Sequence, residues 1–119
     1  MPNVTLQYTA NLAHAFDPAA LLGRVHQAFA DTGEFEMADV KGRAFQIDTF
    51  QVGLNESPEK SFVQVTVATM TTRSAELKQR LGKAIVAVLQ ETFRGQFDGV
   101  TCQLRVEIVP IDPAFYFAG

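Results

Sequence analysis

Residues 61–82, SFVQVTVATMTTRSAELKQRLG, change from one hydrophobic period to another within a few positions. Val63, Val65 and Val67 alternate with Gln64 and Thr66, the period of two that makes a half-buried strand. From Leu77 onward the apolar positions take helical spacing, and Leu77, Leu81, Ala84, Ile85, Val88 and Phe93 share one face. Ser74 ahead of Glu76 supplies a helix start. Glu76 and Arg80 stand at i,i+4, a favourable pair for the solvent side of that helix. Gly95 and an Asp98-Gly99 turn then end the helical region. Val100, Cys102, Leu104, Val106 and Ile108 line one face of a last strand. A strand, a helix and a second strand in this order are satisfied by two parallel strands joined by a helical crossover.

The first half of the chain carries the same order. Val4, Leu6 and Tyr8 alternate with Thr5, Gln7 and Thr9 as a strand, and Asn11 to Phe16 form a connection. Asp17-Pro18 reads as an N-cap followed by proline at the first helical position. Leu21, Leu22, Val25, Ala28 and Phe29 follow with helical spacing, and Gly33 is placed as a C-cap. A second strand is expected from about Lys41 to Val52, with Phe45 and Ile47 on one face and Ala44, Gln46 and Asp48 on the other. Asn55 to Lys60, NESPEK, is a polar loop and the one clear break. The expected fold is therefore α+β: duplicated β-α-β units, residues 2–54 and 61–110, forming a four-stranded mixed sheet with two helices on one face. A length of 119 residues suits a single domain with a modest core. The other sheet face needs a cover. The tail, residues 111–119 (IDPAFYFAG), carries three consecutive aromatic residues, which points to homo-oligomerisation.

Composition narrows the function. The formal net charge is −3, so no general attraction to nucleic acid or to an anionic membrane is expected. The apolar runs are too short to span a bilayer, and the chain opens without a charged region followed by an apolar one, so no leader is expected. The single Cys102 allows no internal disulfide, which suggests a reducing cytoplasm; its strand position reads as a small buried hydrophobe. His14 and His26 lie apart, without Cys, Asp or Glu at ligand spacing, so no metal site is expected; His26 falls at the edge of the first helix's buried face. Gly42, Gly53 and Gly82 are isolated and build no phosphate loop. No Gly-x-Ser-x-Gly or Cys-His arrangement suggests acyl transfer.

The remaining chemistry sits at strand ends. Pro2 follows the initiator Met1, which is normally removed ahead of a small residue. The exposed proline nitrogen would then be a secondary amine on a rigid ring at the start of a strand. A free α-amine titrates near about 7.7–8.0, and desolvation or neighbouring cations lower that value, so a neutral base near physiological pH is accessible. Lys41 and Arg43 share one face at the start of the second strand. Arg73 lies where the third strand gives way to a helix, beside a helix N-terminus that itself favours anions. Cations gathered at such an edge can meet a carboxylate and stabilise a developing enolate.

Thr72-Arg73-Ser74-Ala75-Glu76-Leu77-Lys78, followed by Leu81, resembles the G-R-S-x-E-x-K stretch of the 4-oxalocrotonate tautomerases, which also begin with Met-Pro and a strand. From MPNVTLQY through KGRAFQIDTF and SFVQVTVATMTTRSAELKQRLG to VEIVPIDPAFYF, the chain more closely resembles the 5-carboxymethyl-2-hydroxymuconate isomerases of the tautomerase superfamily. The resemblance implies a homotrimeric, cytoplasmic, cofactor-free isomerase in the degradation of homoprotocatechuate, an aromatic compound. Its partner is a small carboxylate substrate rather than nucleic acid or membrane. It implies Pro2 as the base that moves a proton in an unsaturated 2-hydroxy or 2-oxo dicarboxylic acid, with Arg73 and Lys41 as catalytic cations and Arg43 in substrate binding. Lys41 stands where these isomerases carry the first arginine of an R-x-R pair, and Arg43 matches the second. Asn3 replaces a usual His, Gln7 a usual Glu, and Gln64 a His of the third strand, which bears on the substrate. A tautomerase of a smaller enol or keto acid, phenylpyruvate-like, and a non-catalytic trimeric binding protein are the alternatives.

Overall fold

Strand β1, Asn3–Thr9, buries Val4, Leu6 and Tyr8 and turns Asn3, Thr5 and Gln7 the other way, as its alternation requires. The computed structural model describes residues 1–54, 58–96 and 101–119. After β1 come helix α1 (Pro18–Thr32), β2 (Lys41–Ile47), β3 (Ser61–Met70), helix α2 (Ala75–Thr92) and β4 (Cys102–Ile111), with three short 3-10 turns at Ala10–Leu12, Met37–Asp39 and Pro113–Phe115. The strands form one mixed sheet in the order β2-β1-β3-β4. β1 and β2 are parallel, β3 and β4 are parallel, and the central pair β1 and β3 is antiparallel. This is the duplicated β-α-β architecture expected from the two hydrophobic patterns.

Local chemistry starts and stops the helices where the sequence indicates. The Asp17 carboxylate accepts from Ala19 N at 3.0 Å ahead of Pro18, and Gly33 closes α1 with a positive φ of 71°. Ser74 Oγ accepts from Leu77 N at 3.1 Å to open α2; losing such a cap costs about 1 kcal/mol. Both helices lie on the face carrying Val4, Leu6, Val63, Val65 and Val67, against which Leu21, Val25 and Phe29 of α1 and Leu81, Ile85 and Leu89 of α2 are buried, with Phe93 just past α2. Cys102 is buried and free in the same core. Arg24 joins the helices at the surface, its Nη2 2.9 Å from Glu91 Oε2 and its Nη1 donating to Thr92 Oγ1 at 3.0 Å. Exposed as it is, this pair adds at most about 1 kcal/mol.

Two features depart from expectation, the end of β2 and the partner of Arg80, and the structure adds which face of β2 looks outward. Strand β2 ends at Ile47, not near Val52, because its neighbour β1 ends at Thr9 in register with Ile47 and, among the described residues, no strand lies on its outer side. Its apolar pair points away from the helices: Ala44 stands beside the buried Leu6, whereas Phe45 stands beside Gln7 and is 51 % exposed. Arg80 Nη2 reaches Glu34 Oε2 at 3.4 Å on the loop after α1 instead of pairing with Glu76. Residues Asn55, Glu56 and Ser57 of the polar loop, the Asp98-Gly99 turn and Val100 lie outside the described residues.

Candidate functional site

The topology gathers four strand ends at one edge. β1 and β2 begin there and β3 and β4 finish there, since Asn3 is in register with both Lys41 and Ala68, and Met70 with Ile111. Pro2 is buried at this edge, and its carbonyl accepts from Lys41 N at 3.2 Å, which ties the start of β1 to the start of β2. Met1 precedes it in an ordinary amide. The Met1 amine donates to Asp39 O at 2.9 Å, and its sulfur accepts from Asn3 Nδ2 at 3.6 Å. Arg73 lies in the turn after β3, its N–H donating to Met70 O at 3.2 Å, and Ser74 then caps α2. The tail arrives at the same edge: Thr71 N donates to Ile111 O at 3.0 Å, and Asp112 Oδ1 accepts from Ala114 N at 2.9 Å to turn the chain.

All four residues singled out in the sequence therefore share one end of the sheet, on two sides of it. Lys41 and Arg43 lie on the open face, beside Asn3 and Thr5 respectively. Arg43 Nη2 donates to Asn3 Oδ1 at 3.4 Å, and Lys41 Nζ to Asp39 O at 3.3 Å. Arg73 belongs to the helix side. Its Nη1 donates to Glu34 O at 2.7 Å, and its guanidinium carbon stands 4.4 Å from the centre of the Phe35 ring. Phe35 in turn meets Phe29 edge to face at 5.2 Å. Among the described residues, no side-chain hydrogen bond joins Pro2, Lys41, Arg43 and Arg73 to one another.

Behind β2, the helix α1 presses His26 onto the strand that carries Lys41 and Arg43. A Cβ added at Gly42 would overlap His26 Nε2 and lie 3.1 Å from its Cε1. Gly42 thus has a packing role that its isolation in the sequence concealed. His26 Nε2 is buried and has no hydrogen-bond partner among the described residues. Burial holds the imidazole pKa below its ordinary value, because the charged ring would lose water. The Arg43–Asn3, Met1–Asp39 and Arg73–Phe35 contacts likewise join residues distant in the chain and carry no local signature; the one hint is an aromatic residue shortly after a C-capping glycine. Among the described residues, no group of three or more His, Cys, Asp or Glu is placed to hold a metal ion.

This arrangement can supply a proton acceptor at a strand terminus, if the Pro2 nitrogen is exposed, with fixed positive charge nearby. Comparison with known proteins gives it a family. A family model described as 5-carboxymethyl-2-hydroxymuconate isomerase matches residues 2–118. An Escherichia coli protein described as 5-carboxymethyl-2-hydroxymuconate Delta-isomerase is 25 % identical over 117 residues, covering 98 % of this chain and 92 % of its own. The crystal structure of a 5-carboxymethyl-2-hydroxymuconate isomerase from Deinococcus radiodurans R1 superposes with a TM-score of 0.90 at 26 % identity, over 99 % of this chain and 88 % of that one. A fused 4-OT described as an asymmetric trimer shares the fold, with a TM-score of 0.76 at 18 % identity over 97 % of this chain and 92 % of that one.

Proposed function

The chain belongs to the 5-carboxymethyl-2-hydroxymuconate isomerase family, and on that premise we propose that it moves a proton within an unsaturated 2-hydroxy or 2-oxo dicarboxylic acid, with Pro2 as the acid and base. That it is an isomerase follows from the family; the substrate and the residues are our reading. The first-choice substrate is 5-carboxymethyl-2-hydroxymuconate itself. The observation that carries the reading is the placement of Pro2 at the edge where Lys41 begins β2 and Arg73 follows β3.

With Met1 removed, the neutral secondary amine of Pro2 takes a proton from the conjugated acid. The electron pair left behind spreads through the dienolate, and nearby cations lower its energy as that charge grows. The prolinium returns the proton at a different position along the conjugated chain, so substrate and product are isomers that differ only in where that proton and the double bonds sit. The ring and the β1–β2 hydrogen bonds hold the amine far more firmly than a frayed terminus would.

The split of the cations between the two sheet faces supports a site completed between copies of the chain. The open face presents Lys41 and Arg43, and the tail exposes Phe115 and Phe117 by 76 % and 85 %. We read the assembly as a homotrimer, in keeping with the fused 4-OT described as an asymmetric trimer, and place it in the cytoplasm. Asn3, Gln7 and Gln64 lie in register beside one another or nearby on the open face. They present neutral amides where the family usually places His, Glu and His, so a smaller enol acid is the second substrate class to screen. The decisive experiment compares two preparations. One lacks Met1 by intact mass; the other retains an amino-terminal extension that keeps Pro2 in an amide. The first is expected to isomerise the dicarboxylate and the second to be folded and inactive. Equal activity in both would remove Pro2 from the mechanism.

A further inference from the structure

Arg73 is held from two sides by the turn that follows α1. Gly33 reverses the chain with φ 71°, and Glu34 N donates to Thr32 Oγ1 at 3.3 Å while the Thr32 hydroxyl donates to Phe29 O at 2.7 Å. The Glu34 carboxylate meets Arg80 on α2, which fastens the turn to the second helix. Phe29 is fully buried, and the Phe35 ring stands against it with an interplanar angle of 71°. A rigid path thus runs from the core through Phe29 to Phe35 and on to the Arg73 guanidinium, 4.4 Å above the Phe35 ring centre. The Glu34 carbonyl completes the hold through Nη1 at 2.7 Å.

These contacts determine which edge of the guanidinium is available. Arginine offers five N–H donors, and the Nε–H with the neighbouring Nη2–H forms a fork that matches two oxygens of a carboxylate. The Glu34 bond takes Nη1, the nitrogen outside that fork. Among the described residues, Nε and Nη2 of Arg73 donate to no protein acceptor. An unrestrained arginine spreads over many rotamers, and ordering it during the reaction would subtract from the stabilisation it can give. Stacking on an aromatic face is a favoured way to hold it while leaving its donors unused.

We infer that Phe35 is a positioning residue for the isomerase reaction: with the Glu34 carbonyl it fixes the Arg73 guanidinium so that its Nε–Nη2 fork faces a carboxylate or dienolate oxygen of the substrate. The inference rests on the reading that Arg73 meets substrate charge. Phe35→Leu keeps an apolar side chain over Phe29 and removes the flat π surface. Its kcat is expected to fall on the order of ten- to a hundredfold, the scale of a misplacement of about 1 Å, with KM changing less. Phe35→Tyr, which restores the surface, is expected to stay within a fewfold of wild type.

A double-mutant comparison separates positioning from general structural damage. In an Arg73→Ala background, Phe35→Leu is expected to cost less than about twofold, because the group it positions is gone. An equal loss in both backgrounds, or no loss in wild type, would overturn the inference. If Arg73→Ala by itself left turnover intact, the reading of the site would fail instead. The hold of Phe35 on the guanidinium is tested apart from catalysis by the Arg73 Nε–Hε NMR resonance, assigned by its disappearance in Arg73→Lys. A wild-type resonance displaced by the Phe35 ring current, returning towards that of a solvent-exposed arginine in Phe35→Leu, supports positioning. An undisplaced wild-type resonance refutes it.

Discussion

Gly42→Ala tests how tightly α1 is packed against the strand that carries Lys41 and Arg43. Its Cβ would overlap His26 Nε2 and approach His26 Cε1 at 3.1 Å and Leu22 Cδ2 at 3.3 Å. Relief requires the imidazole to swing, the helix to lift, or β2 to move outward, which as an edge strand it can do with least resistance. Overpacking of this kind costs about 1–3 kcal/mol. Unfolding entropy scales at about 2.1 cal/mol/K per residue, so for this chain each kcal/mol displaces Tm by about 4 °C. The variant is therefore expected to melt about 4–12 °C below wild type, compared at equal protomer concentration because assembly shifts the midpoint. Urea denaturation gives the free energy directly, and the same pair of measurements on His26→Ala and the double variant closes a cycle. His26→Ala opens the space a Cβ would occupy, so the two substitutions should couple by at least about 1 kcal/mol in the compensating direction. A wild-type midpoint for Gly42→Ala, or strict additivity with His26→Ala, would refute the packing argument. Activity should also fall in Gly42→Ala, through displacement of Lys41 and Arg43, and recover in part in the double variant.

Other outcomes follow from the same structure. His26 is pressed below its ordinary pKa of 6.5, so the unfolded chain binds its proton first; its neutral form gives full stability above pH 6.5, and stability is lost as pH falls from there through the lower folded value. A pH series of urea midpoints should show this loss, and His26→Leu should flatten it. Arg73→Ala should lower kcat by roughly 10²–10³, the cost of removing one donor that acts on growing negative charge. Lys41→Ala should act mainly on KM, and Lys41→Arg should be tolerated, because the ammonium serves as a point charge that a guanidinium can replace; wild-type kinetics in both alanine variants would exclude the anion site. Light scattering should return three times the chain mass of 13.1 kDa, and truncation before Phe115 should weaken the assembly. A stable monomer at micromolar concentration contradicts that reading.

The parts of this architecture legible in the sequence are those set by local periodicity and local capping. Val4, Leu6 and Tyr8, and Val63, Val65 and Val67, alternate because the central strands β1 and β3 bury one face. Asp17-Pro18, Gly33 and Ser74 mark helix ends because the unpaired backbone groups of a helix must be met nearby. Periodicity is weaker for an edge strand. Phe45 and Ile47 show that alternate residues share a face, but apolar character alone assigns that face to the core, and β2 turns it outward. The side is decided by register. With Lys41 beside Asn3, the residues Lys41, Arg43 and Phe45 fall with Asn3, Thr5 and Gln7, and a slip of one position would put Gly42, Ala44 and Gln46 in their place. Gly42 shows which register is compatible with the helix above it. Only a residue without a side chain fits beneath His26 with neither of them displaced, and a slip in either direction would bring Lys41 or Arg43 under the imidazole in its place. The packing of α1 on β2 and the outward placement of both cations are thus one constraint, met by a glycine between two basic residues. Arg73 obeys a constraint of a different kind. Its neighbours Glu34 and Phe35 come from the opposite half of the duplication, so its orientation is a property of the two halves together and has no counterpart in the local pattern of either.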